Sequence, residues 1–95
     1  MDDDPNIDFA PSAARHRISR DRVRYAIGHC QNPLYAPDED RDDADLVLFL
    51  GPDPKGVPLE IVAIEAEDGG LVVIHAMRLR RRYREDYRRV MRGHP

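Results

Sequence analysis

LVLFL at 46–50, LEIVAIE at 59–65 and LVVIHAM at 71–77 are three short apolar runs, separated by the turn-rich stretches GPDPKGVP and AEDGG. The first two are apolar at nearly every position, the pattern of strands covered on both sides, and all three have the length and β-branched content of strands. Gly, Pro and Asp between them favour tight reversals, so the three runs are expected to form an antiparallel meander. In the third run, alternation places Leu71, Val73, His75 and Met77 on one face and Val72, Ile74 and Ala76 on the other.

Helical periodicity flanks this meander. Val23, Ala26, Ile27 and Cys30 recur at i, i+3, i+4 and i+7 behind Ser19, a good N-cap, with Asp21 in the first turn and Ile18 placed to staple onto Val23. Gln31-Asn32-Pro33 stops that helix, because the residue before a proline is pushed out of the α region. After the last strand, Leu79, Tyr83, Tyr87, Val90 and Met91 form an apolar stripe, with arginines flanking it and Gly93 as the stop. Leu34-Tyr35-Ala36 adds at most one short edge strand. The expected fold is α+β: an antiparallel sheet of three to four strands, with an N-terminal and a C-terminal helix packed on one face.

Ninety-five residues make one domain. The start, MDDDPNIDFAPS, reads as a flexible acidic arm over 1–12 or one short docked segment held by Ile7 and Phe9, which leaves 13–92 as the domain. One cysteine excludes an intramolecular disulfide and a multi-cysteine zinc site. An acidic N-terminus is unlike a secretory signal, and no run approaches the length needed to span a bilayer, so a cytoplasmic location and no membrane partner are expected. No cofactor or metal is called for. The acidic loop Asp38 to Asp45 lacks calcium-loop spacing, and GPDPKG lacks the ending of a phosphate loop, which leaves it as a hairpin turn.

Charge changes the picture more than composition does. The net charge is −3, yet residues 77–95 carry eight arginines against two acids. Such segregation points to a local anion-binding surface rather than an overall basic field. Arginine forks suit phosphate better than lysine does, and the block follows His75 directly. Metal-free RNA cleavage needs a base for the ribose 2′-hydroxyl, an acid for the leaving oxygen and cations for the charge growing on phosphorus. Histidine and arginine are the residue types that chemistry uses. His75 is equally readable as a half-buried strand histidine, and the arginines as a solvated helix face. A second basic cluster, Arg15, His16, Arg17, Arg20, Arg22 and Arg24, surrounds the first helix start and also reads as a solvated face.

RHRISRDRV, then LVLFLGPDPKGVPLEIVAIE, then VVIHAMRLRRRYREDY resemble, in that order, the BrnT-type toxins of the wider RelE/ParE group of bacterial toxin–antitoxin systems, over about residues 13–91. Arg15-His16 matches the basic residue and histidine that open the family pattern. The commoner form ends its last strand in Ile-Ser-Ala-Arg, where this chain has Ile74-His75-Ala76-Met77. The resemblance implies a RelE/ParE-like fold and a metal-independent endoribonuclease that inhibits translation. It further implies RNA as substrate, a cognate antitoxin protein as partner, and either self-association or a toxin–antitoxin hetero-oligomer. His75, His16, Arg78 and Arg82 are then the candidate catalytic residues, and Arg15, Arg80, Arg81 and Tyr83 the candidate RNA and phosphate contacts. Two alternatives stand beside it: a non-catalytic module of the same fold whose arginine helix docks nucleic acid or an acidic protein, and a gyrase-directed toxin, which leaves the histidine without a role.

Overall fold

The computed structural model describes residues 6–30, 32–35 and 46–92; the acidic loop, the first five residues, Gln31 and the expected stop at Gly93 lie outside them. The three apolar runs become β3 (Leu46–Pro52), β4 (Pro58–Glu65) and β5 (Leu71–Arg78), paired as an antiparallel meander. Two shorter strands extend it. β2 (Leu34–Tyr35) pairs antiparallel with β3, and β1 (Ile7–Phe9) pairs parallel with β5, giving the order β1-β5-β4-β3-β2. The sheet is therefore five-stranded and mixed, rather than antiparallel with three or four strands. Ile7 and Phe9, the two apolar residues of the N-terminal stretch, provide its docked segment, so described structure begins before residue 13. A 3-10 turn at Pro11–Ala14 continues along the same edge.

The hairpin turns are built by aspartates. Asp53 accepts hydrogen bonds from the backbone N–H groups of Lys55 and Val57, and Gly56 takes a positive φ of 86° between them. Asp68 plays the same part for the N–H of Gly70 at the β4–β5 turn.

α1 (Arg20–Gly28) begins where expected, with the Ser19 hydroxyl accepting from Arg22 N–H. It ends a few residues earlier than the proline implied, at Gly28. Its buried Val23 and Ala26 pack with Val47, Phe49, Leu59, Ile61, Ala63, Val73 and Ala76. α2 (Arg84–Arg92) follows a separate 3-10 turn, Arg81–Tyr83, instead of continuing one long helix. Val90, Tyr87, Tyr83 and Leu79 cover Leu48 and Leu50, while Met91, expected in the stripe, is 44 % exposed. Val47 and Phe49 thus face α1, and Leu48 and Leu50 face α2. The helices lie on opposite faces of the sheet, not on one, because β3 is apolar on both sides and each side needs a cover. Each fully buried Val or Leu in these layers contributes about 1.5–3 kcal/mol.

Gly51 sets how closely α1 approaches. A Cβ added there would sit 2.7 Å from the Ala26 carbonyl oxygen, a backbone atom with no rotamer to escape into. Gly51→Ala is expected to push α1 off β3 and cost about 1–3 kcal/mol. Thermal unfolding checks this, and an alanine variant that melts like the parent would show that α1 yields freely.

One irregularity decides where the chemistry sits. Val62 lies opposite His75 and Ala63 opposite Val73, so Ile74 is an extra residue and β5 bulges there. The Ile74 carbonyl accepts from the Ser12 hydroxyl at 2.7 Å. Alternation inverts past the bulge, which separates Val73 from His75 and corrects the regular pattern expected for this strand. His75 and Met77 now share the face of Val62 and Glu60, on the α2 side.

Candidate active site

Glu60 is the third residue of β4 and is 0 % exposed. A buried carboxylate is tolerated only when its oxygens are satisfied, and here they are. Oε1 accepts the backbone N–H of Arg80 at 2.8 Å. Oε2 accepts Arg80 Nε at 2.9 Å and Nη2 at 2.7 Å, and receives His75 Nε2 at 3.1 Å. Burial alone pushes the Glu60 carboxyl up, but the Arg80 side chain, the Arg80 backbone N–H and His75 together outweigh it and hold the group below the usual carboxylate range. Arg80, in turn, is pushed up by its bond to Glu60.

An ionised carboxylate only accepts, so His75 must present a proton on Nε2 and leave the Nδ1 lone pair of the neutral ring available. The carboxylate–imidazole pair thereby fixes one tautomer. His75 keeps a partly exposed side chain, 26 % accessible.

His16 completes the cluster from the other side of the sheet edge. Its ring packs edge-on against His75, centroids 5.7 Å apart and planes at 76°. Two local features bring it there: the 3-10 turn running along β5, and Arg17, which adopts a left-handed φ of 60° directly after His16 and turns the chain into α1. Arg80 and Arg82 both lie over the Tyr83 ring, at 5.8 and 5.0 Å from its centroid.

Of the residues singled out from sequence, His16 and His75 meet ring to ring, Arg80 meets His75 only through Glu60, and Arg82 joins through the Tyr83 ring under Arg80. Arg78 does not join them. It pairs with Leu59, on the opposite side of β5 from His75, and lines a shallow groove with Val57, Pro58, Leu79, Tyr87 and Arg88. Arg15 and Arg81 are exposed. The residue that sequence reasoning missed is Glu60, the organising group. Its signal was present: one glutamate inside an apolar strand covered on both faces, where an unpaired charge is not tolerated.

A second charged pair has a structural part. Arg22 Nε donates to Asp53 at 2.8 Å and ties α1 to the β3–β4 turn; burial raises the Asp53 carboxyl, but the Val57 and Lys55 N–H groups with Arg22 outweigh it and hold the group below its ordinary value. Among the described residues no group of three or more His, Cys, Asp and Glu is arranged to hold a metal, and no helix is long and apolar enough to cross a membrane. Comparison of the chain with known protein families, with curated proteins and with solved structures gives no match.

Proposed function

We propose that the chain is a metal-independent endoribonuclease of the RelE/ParE type, the toxin component of a toxin–antitoxin pair that acts on RNA in the cytoplasm and is neutralised by a partner protein. One observation carries the reading: a histidine oriented by a buried, ionised glutamate faces a second histidine beside arginines. His75 Nδ1 takes the proton of the ribose 2′-hydroxyl, and the freed oxygen attacks the adjacent phosphorus. The bond from phosphorus to the 5′-oxygen breaks, and His16 protonates the leaving oxygen. The products are a 2′,3′-cyclic phosphate and a 5′-hydroxyl, with the two histidines left in exchanged protonation states. The substrate phosphate lies on the open side of both rings, since the rings themselves are in contact. Arg82, over the Tyr83 ring, supplies positive charge where the phosphorane gains negative charge, while Arg80 stays paired with Glu60.

The test is cleavage of a defined RNA by the purified chain in excess chelator, with end-group analysis. Cleavage with cyclic phosphate ends, abolished by a single 2′-deoxy substitution at the cut site, is expected. Cleavage that persists without the 2′-hydroxyl, or none under any condition, overturns the mechanism.

A specific observation favours one second reading. Glu60 already neutralises Arg80 and pins the entry to the arginine-rich segment through its backbone, as a rigid docking surface would need. In that reading the module binds nucleic acid or an acidic partner without hydrolysis.

A further inference from the structure

α1 carries a concentration of positive charge that the histidine cluster does not use. Arg20 and Arg24 are one helical turn apart, and both guanidinium groups lie over the ring of Phe9, at 5.1 and 5.3 Å from its centroid. Like charges at i and i+4 repel, and the ring face offsets only part of that. The counter-charge at hand is Asp21, 3.5 Å from Arg24 Nη1, and its side chain is 96 % exposed, where an ion pair is weak. Arg24 Nε is buried and has no hydrogen-bond partner among the described residues. That nitrogen is enclosed and out of a ligand's reach, but two gathered cations with only a weak counter-charge fit a phosphate, whose several oxygens accept from the outer ends of arginine forks.

Position adds the second argument. Phe9 lies opposite Val73 on the α1 side of β5, and His75, just past the bulge, is on the α2 side, so the two places meet only around the outer sheet edge. The 3-10 turn and His16 connect the two places along one sheet edge. A strand whose phosphate sits at the histidines reaches the Phe9 ring by turning around that edge past His16.

We infer that Phe9, Arg20 and Arg24 form a subsite for a backbone phosphate of single-stranded RNA, which holds the substrate beside His16 and His75 and takes no part in bond cleavage. This rests on the reading of the chain as an RNA-binding protein, but not on its being a nuclease.

The experiment measures fluorescence anisotropy of a labelled 2′-O-methyl oligonucleotide, which cannot be cleaved through a 2′-oxyanion, with the full chain across a salt series. Arg20→Gln combined with Arg24→Gln keeps much of the apolar stem over Phe9 and removes the charge. Expected is binding weakened by roughly tenfold or more and a salt slope shallower by about 1.4, the share of two single-strand phosphate contacts. Arg20→Lys with Arg24→Lys should restore most of the slope. If the double variant fails to fold by circular dichroism, exposed Arg20→Gln alone carries the test, with a slope change of about 0.7. Unchanged affinity and slope overturn the inference, as does tight binding of a polyglutamate peptide in place of the oligonucleotide. If the parent chain binds but never cleaves RNA, the proposed catalysis falls and the arginine result still decides this subsite.

Discussion

Glu60→Ala is expected to lower the melting temperature by roughly 10–20 °C, the equivalent of about 2–4 kcal/mol in a domain of this size. The substitution removes the acceptor for three Arg80 donors and for His75 and leaves a hole in the layer between β4 and α2. Removing one partner of a buried pair usually costs more, but Arg80 is 44 % exposed and can turn its charge to water, which places the figure toward the lower end. Glu60→Gln keeps the shape and one acceptor for Arg80 N–H, so its loss should be smaller. Acid separates charge from shape. The folded-state carboxyl lies below its unfolded value, so its stabilisation is complete above about pH 4.3 and fades as pH falls through the folded value. Between pH 7 and pH 3 the parent should lose stability faster than Glu60→Gln, while Asp53, depressed in the same direction, leaves part of the acid limb in both. Melting curves of the three proteins across that range check the ordering. A Glu60→Ala variant that melts within about 3 °C of the parent would show that the pair contributes nothing net.

The strands were legible because their limits are chemical: β-branched and leucine-rich runs bounded by GPDPKG and AEDGG leave little choice of boundary. The opposite placement of the helices was half-legible. Leu48 and Leu50 alternate with Val47 and Phe49, so β3 announces two covered faces, but nothing local assigns a helix to either. β1 is only three residues long, with Asp8 between its apolar positions, and a parallel partner 64 residues away leaves no local trace. The bulge is harder still. LVVIHAM alternates acceptably without it, and only the tertiary register shows that Ile74 is the extra residue and that His75 belongs with Glu60. The candidate site therefore emerged from sequence as a set of residue types, and its organising contact, from β4 to β5 and the turn beyond, came from pairing between strands.

His75→Ala is expected to reduce single-turnover RNA cleavage by about 10²- to 10⁴-fold, the usual contribution of a positioned general base, with little change in RNA affinity. His16→Ala should fall in the same range if it protonates the leaving oxygen. On the proposed mechanism both histidines serve one proton-transfer sequence, so the double variant should be far less impaired than the product of the single losses. Glu60→Gln adds a separate readout. It leaves both rings in place but lets the amide face His75 with a donor or an acceptor, so the tautomer is no longer fixed and activity should drop even where the variant is fully folded. Folding is checked at the assay temperature for every variant, since Glu60 also supports the entry to α2. A His75→Ala protein that cleaves within about threefold of the parent would reduce His75 to a strand histidine bonded to Glu60. The same cluster would then matter only for holding Arg80 and Tyr83 in place, which is what a binding surface requires and a nuclease does not.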